Sequence, residues 1–387
     1  MAEKKERAGL APERMRHLKT AIEDDVRRGK YFGAVLIVAR HGVVGLHEAI
    51  GFGDAAHKQP LKKNSVFNIF STTKALTNVL VFRAIERGDF ALTTRVSEVI
   101  PEFSSGWREK ITVYHLLTHT SGLPSVFTPK PGMYIDHLDE IIAAICKYLH
   151  CVEEPGKLVT YAPMAGQALL GEMLQRTDAK KRRYRKIAEE DLLGPLKMKE
   201  TSIGVRADLR SRKVVPVFMD RSPIDHLGHG NLGPNGAFEE EDAEMPWVGA
   251  VTTAGDLHRF AEMLRRGGEL DGARIVSPRI LDLAARNQTG ERPNELFKTL
   301  AIMRGWPTAP AYLGIGFFLR GEAICQHHFG TLTSPRTFGN FGAGSSFYWV
   351  DPELDMTFAF VSAGVLEESQ NIERCQRLSD IAVSAAS

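Results

Sequence analysis

The chain has 387 residues, 43% hydrophobic and 25% charged, with Lys+Arg 49 against Asp+Glu 47 and a formal net charge of +2. That balance excludes a disordered polyelectrolyte and gives no global electrostatic case for nucleic acid or an anionic membrane. The length supports a large core in two or three domains without disulfides or structural metal.

Cys146, Cys151, Cys325 and Cys375 form no C-x-x-C pair, which fits reduced thiols in a reducing compartment. The first residues, MAEKKERAGLAPERMR, carry no apolar h-region, and no apolar run approaches the ~20 residues that span a bilayer. The expectation is a cytoplasmic protein.

Taken in chain order, Pro12 to Arg28 reads as an amphipathic helix, with Met15, Leu18, Ile22 and Val26 at helical spacing and Pro12 at its first position. Gly33 to Ala39 and Val43 to Ile50, joined at His41-Gly42, read as a β-hairpin. Ser71 to Arg87, Leu138 to Leu149 and Pro163 to Arg176 read as helices, the last with Pro163 opening it. Ser222 to Pro246 reads as a long loop, and Thr252-Thr253 caps a helix running to Arg266. Leu313 to Arg320, Ser345 to Val350 and Met356 to Ser362 read as strands, with a turn at Asp351 to Asp355, and Asn371 to Ser384 as a final helix.

Strands thus lie at both ends and helices between them. A lone hairpin is marginal in water, so the economical arrangement is one antiparallel sheet shared by both ends. The expected fold class is α+β: an α/β sandwich on a central antiparallel sheet, with an inserted all-helical lobe. The expected domains are 1–70 with 246–387, and 71–245, with a cleft between them.

No G-x-S-x-G elbow, P-loop or H-E-x-x-H is present, so an α/β-hydrolase, a P-loop enzyme and a zincin are unsupported. One chemical signal is Ser71-Thr-Thr-Lys74, an S-x-x-K. On a helix, positions three apart share a face, so Lys74 can set its amine beside the Ser71 hydroxyl. A serine is a weak nucleophile that needs a neighbouring base, and a buried lysine can serve as one. The tetrapeptide alone is expected about once by chance in a chain this long; the apolar ALTNVLVFRAI that follows predicts a buried Lys74.

Around this tetrapeptide stand HLLTHTSGL at His115 to Leu123, Tyr161-Ala-Pro163, LLGPLKMKETSIG at Leu192 to Gly204, VTTAGDLHRFAEML at Val251 to Leu264, FGNFGAGSS at Phe338 to Ser346 and YWVDPELDM at Tyr348 to Met356. In order and spacing the chain resembles the serine β-lactamase and penicillin-binding-protein group, specifically its class C-like esterase branch, the family VIII carboxylesterases. The resemblance implies Ser71 as acylated nucleophile, Lys74 as its partner, and Tyr161 as the tyrosine of the Y-x-N motif and candidate base. It implies an oxyanion hole from the backbone N–H groups of Ser71 and Ala343, with Asn340, Phe341 and Gly342 as the substrate-binding third motif. Two positions depart from the pattern. Pro163 replaces the motif's asparagine, and Asn340-Phe341-Gly342 replaces K-T-G or H-x-G, so a β-lactam carboxylate loses its cationic partner. Both departures point to neutral esters or amides.

The implied function is a serine hydrolase cleaving carboxylic esters through an acyl-enzyme on Ser71, with no metal or cofactor. Partners are a small ester or amide, with no nucleic acid and no membrane; a homo-oligomer is left open. The alternatives are an acyltransferase or an amidase, then a β-lactamase, then a silent binding protein. Other residues read more plainly. His119 and Tyr114 suit packing roles. His226, His229, His327 and His328 lack the acid or cysteine to complete a metal site. The basic run Lys180 to Lys186 reads as a solvated face balanced by Glu189, Glu190 and Asp191. Trp247, Trp306, Phe127 and Tyr134 are candidates for pocket walls.

Overall fold

The computed structural model describes residues 8–219, 231 and 235–386. Helix α1 (Pro12–Arg27) leads into β1 (Gly33–Arg40) and β2 (Val43–Gly51). β3 (Val66–Asn68) delivers the chain to a short 3-10 turn, Phe70–Thr72, and then to α2 (Thr73–Arg87). The middle of the chain holds α3 (Val113–Leu117), α4 (Leu138–Tyr148) and α5 (Ala165–Thr177). Short strands β4 (Ser202–Ile203), β5 (Lys213–Val214) and β6 (Ala250–Thr252) follow, then α6 (Ala254–Arg265) and the hairpin β7 (Glu269–Leu270) and β8 (Ala273–Arg274). The last third carries α7 (Glu295–Arg304), β9 (Phe318–Leu319), β10 (Phe338–Gly342), β11 (Ser346–Asp351), β12 (Met356–Ala363) and α8 (Glu368–Val383).

The main sheet has six strands in the order β2-β1-β12-β11-β10-β9, every neighbouring pair antiparallel. β1 and β12 pair from Gly33↔Ala363 to Arg40↔Met356, so the two ends of the chain meet at the centre of one sheet. Both faces of β1 are covered. Ala34, Leu36 and Val38 belong to the core under α1 and α8, whereas Val35 and Ile37 belong to the core shared with α6 and the middle helices. Burial on both sides explains why GAVLIVA is continuously apolar and not alternating. A second sheet, ordered β4-β6-β3-β5, ties the segment just before the S-x-x-K to three distant parts of the chain. Among the described residues no helix is long and apolar enough to cross a membrane.

Three sequence expectations are corrected. The strand expected over Leu313 to Arg320 is reduced to Phe318–Leu319. Gly314 and Gly316 shape a loop before it: Gly316 has φ +77°, and a Cβ on Gly314 would lie 2.0 Å from the Ala284 carbonyl. Pro163 does not open its helix, which begins at Ala165. The residues before it are held extended, Thr160 N–H donating to the His119 carbonyl at 2.9 Å. The helix expected from Ser71 starts at Thr73, leaving Ser71 on the preceding 3-10 turn. The loop expected over Ser222 to Pro246 lies largely outside the described residues, as do His226 and His229.

Candidate active site

Ser71 follows Phe70, whose φ of +45° is a left-handed conformation rare outside glycine. Such a residue costs of order ~1–3 kcal/mol and persists only where its surroundings hold it. Here the Phe70 ring packs on Phe238 at 5.3 Å and Phe218 at 6.4 Å between centroids. The sharp turn leaves Ser71 partly exposed at the head of α2 while its neighbours are buried.

One turn on, Lys74 is 2% exposed. Its Nζ lies 3.0 Å from Ser71 Oγ and donates to the Trp247 carbonyl at 2.9 Å. Burial holds its pKa well below the ordinary lysine range, because the charged form is the one that loses hydration. A neutral amine offers Ser71 a lone pair.

Tyr161 completes the group. It is buried, its hydroxyl interacts with the Ser71 side chain, and its ring centroid lies 5.3 Å from Lys74 Nζ. Burial raises its pKa above the usual phenol range, the Ser71 contact opposing only in part. Tyr161 is therefore a neutral phenol, not a phenolate, at physiological pH. Its ring sits 4.8 Å from that of His119. Burial, with the nearby Lys74, pushes His119 down to about 3, so that histidine is a neutral wall whose backbone and Nδ1 pin residues 160 and 162.

The third motif reaches the site through Gly342. A Cβ there would fall 2.1 Å from the Ile69 carbonyl and 3.0 Å from Ser71 N. β10 thus runs directly against the nucleophile turn, and Ala343 is the residue that follows this strand. Ser346 Oγ fastens the two, donating to the Ile69 carbonyl at 2.8 Å with Thr72 Oγ1 at 3.0 Å. Asn340 shares the Gly342 face but is buried; its Oδ1 accepts from Tyr348 at 3.0 Å and its Nδ2 points to the Gly316 carbonyl at 3.4 Å. Phe341 lies on the opposite face, stacked on His328 with centroids 3.5 Å apart.

The structure therefore brings Ser71, Lys74, Tyr161 and Gly342 together and places Phe341 behind the strand. Trp247 enters through its backbone carbonyl, which residue type could not signal. Also unforeseen was α7, although Asn294 caps its start through Leu296 N–H and Gly305 ends it at φ +65°; both caps are readable signals. The basic run is taken up by acids: Arg182 pairs with Asp178, Glu190 and Asp191, Arg183 with Asp139 and Glu244, Arg185 with Asp242 and Lys186 with Glu189. His328 Nε2 lies 2.9 Å from Glu368 Oε1, and among the described residues no three His, Cys, Asp or Glu side chains gather as a metal site.

Comparison with known proteins matches residues 18–378 to the Beta-lactamase family model. Protein Rv1367c of Mycobacterium tuberculosis is 26% identical over 371 residues, covering 89% of this chain and 88% of that one. Esterase EstB of Burkholderia gladioli is 34% identical over 125 residues, 31% of this chain and 32% of its own. Among solved structures, a family VIII carboxylesterase superposes with a TM-score of 0.76 at 20% identity, covering 97% of this chain and 98% of that one. With a match running from the first helix to the last, and the sheet and nucleophile turn arranged as described, the chain belongs to the beta-lactamase family.

Proposed function

We propose that the protein is a serine hydrolase that cleaves neutral carboxylic esters through an acyl-enzyme on Ser71. The carrying observation is the 3.0 Å approach of a buried Lys74 amine to Ser71 Oγ. Ser71 Oγ attacks the ester carbonyl carbon as its proton passes to Lys74 Nζ. The carbonyl oxygen becomes an oxyanion held by the backbone N–H groups of Ser71 and Ala343. On collapse the ester C–O bond breaks, and the departing alkoxide takes the Tyr161 hydroxyl proton, which the Lys74 ammonium replaces. Water then attacks the acyl-enzyme by the same route and restores Ser71. The scheme calls for no metal or cofactor.

Ester rather than β-lactam specificity is supported by Asn340, which carries no charge and spends its amide on Tyr348 and Gly316. The name of the EstB relative is consistent with this reading. Hydrolysis of p-nitrophenyl acetate by the wild type and not by Ser71→Ala, with a fluorophosphonate adduct mapped to Ser71, is the expected result. Wild-type turnover by Ser71→Ala would refute the assignment.

A further inference from the structure

Four residues beyond Lys74, on the same face of α2, stands a buried amide, Asn78. Its Nδ2 donates to the Gly316 carbonyl at 2.8 Å, and its Oδ1 accepts from Gln167 Nε2 on α5 at 3.4 Å. The same Gly316 carbonyl accepts from Asn340 Nδ2 on β10 at 3.4 Å. Asn340 Oδ1 is held in turn by the Tyr348 hydroxyl on β11 at 3.0 Å. On its other side the Gly316 N–H donates to the carbonyl of Leu117, the last residue of α3, at 2.9 Å. One glycine thus joins α2, β10 and the end of α3. Only glycine fits there, because its φ is +77° and a Cβ would lie 2.8 Å from Asn78 Nδ2.

The joined elements are the ones that carry the reacting groups. α2 bears Lys74 and directly follows the turn of Ser71. β10 bears Gly342, which presses on that turn. Leu117 stands two residues before His119, whose carbonyl and Nδ1 pin residues 160 and 162 on either side of Tyr161. Near Ser71 the turn is fastened to the start of β11 by Ser346 Oγ on the Ile69 carbonyl. A single fastening leaves a pivot. The Gly316 tie supplies a second fastening about two helical turns further along α2, and two fix the orientation of the helix against the strand.

Nothing in this tie is free to meet a substrate. Asn340 is 3% exposed, and its oxygen and nitrogen are both engaged. An asparagine can accept from Tyr348 and donate to Gly316 at once, whereas a lysine has no acceptor. Resting on the acyl-enzyme scheme, we infer that Asn78 and Asn340 are positioning residues, which through the one Gly316 carbonyl hold the nucleophile helix in register with β10. Asn340 then serves the reaction from inside the protein and not by touching the ester.

The test uses Asn78→Ala, Asn340→Ala, the double variant and Tyr348→Phe, which removes one hydroxyl and leaves both donors to Gly316. Each is assayed for kcat and KM on p-nitrophenyl acetate and for the rate at which a fluorophosphonate labels Ser71, with melting curves to report folding. Each alanine variant is expected to lose ~10-fold or more in kcat and in labelling rate, with KM within ~2-fold, as befits reacting groups moved out of line. Because both bonds end on one carbonyl, the double variant should fall no more than ~3-fold below the slower single variant. Tyr348→Phe should lose ~3-fold in kcat and labelling, the effect of one hydrogen bond. Folded alanine variants with wild-type kcat and labelling overturn the inference. A raised KM at unchanged kcat in Asn340→Ala makes that residue a substrate contact and also overturns it, and fully multiplicative losses overturn the shared tie. Where the alanine variants do not fold, Tyr348→Phe decides, and wild-type behaviour overturns the inference. A wild type that neither turns over any ester nor takes the label overturns the esterase reading and the inference with it; a reactive wild type with unaffected variants overturns the inference alone.

Discussion

Gly342→Ala tests the junction of β10 with the nucleophile turn. The new methyl carbon would lie 2.1 Å from the Ile69 carbonyl, 2.7 Å from Ser346 Oγ and 3.0 Å from Ser71 N. Carbon–oxygen pairs are comfortable only beyond about 3 Å, so relief demands a shift of roughly 0.9 Å. Ile69 is poorly placed to supply it, since its carbonyl accepts from Thr72 N–H and Ser346 Oγ and its N–H donates to the Ala250 carbonyl. The strand must withdraw, carrying the Ala343 amide with it. Misplacement of this size, or loss of one oxyanion donor, lowers kcat by ~100-fold or more. Overpacking should cost ~1–3 kcal/mol of stability. The assay is steady-state hydrolysis of p-nitrophenyl acetate alongside urea unfolding. Gly255→Ala is the control: it sits in α6, its nearest foreign atom is Thr253 Oγ1 at 3.5 Å, and it should keep full activity and gain up to ~1 kcal/mol. A Gly342→Ala enzyme with kcat within about twofold of wild type would refute the close-approach argument.

Burial of Lys74 places the acid limb of kcat/KM well below the ordinary lysine value of 10.5, with the rate rising with pH as the amine deprotonates; a limb at or above that value would contradict it. Lys74→Arg, which stays charged at every accessible pH, should lose ~100-fold or more across the whole profile. Tyr161→Phe should slow alkyl acetates ~100-fold or more and p-nitrophenyl acetate much less, since p-nitrophenolate departs without a proton; equal losses would remove Tyr161 as proton donor. Arg182 holds the Asp178 carboxyl down to about 2. This depressed group stabilises the fold above its unfolded value of 3.8, and the benefit fades as pH falls through its folded value. Arg182→Gln should therefore cost ~2 kcal/mol near neutrality in urea unfolding, with the gap to wild type closing toward pH ~2.

Elements with a single strong period were legible in the sequence, and those set by glycine or distant contacts were not. The α1 helix and the β1–β2 hairpin needed only apolar spacing and a turn. The YLGIGFFL run looks like a strand because its apolar residues are dense, but Gly314 fits against the Ala284 carbonyl and Gly316 against Asn78, and the backbone departs from extension. Pro163 looks like a helix opener because proline tolerates the first position; His119, over forty residues away, instead holds the preceding segment extended. For the site, Ser71 and Lys74 were readable because three residues nearly close one turn, whether the turn is 3-10 or α. Their neighbours from Trp247 and Gly342 meet only after both sheets have formed, and the first acts through a carbonyl that every residue possesses.

The protonation states of Lys74 and Tyr161 follow from one cause acting on opposite charges. An ammonium beside the phenol would favour phenolate and make Tyr161 the base. Both groups are buried, and burial penalises whichever form is charged, so it lowers the lysine and raises the tyrosine. Both shifts favour amine and phenol over ammonium and phenolate as the resting pair. Environments that push two titratable groups apart assign the base to one and the acid to the other. In the proposed scheme Lys74, 3.0 Å from Ser71 Oγ, is the acceptor in the first step. In the same scheme Tyr161 already carries the proton that the second step must deliver. If the resting pair were instead ammonium and phenolate, ultraviolet difference spectra of wild type against Tyr161→Phe would carry a tyrosinate band near neutral pH. The buried amine–phenol pair carries none until strongly alkaline pH.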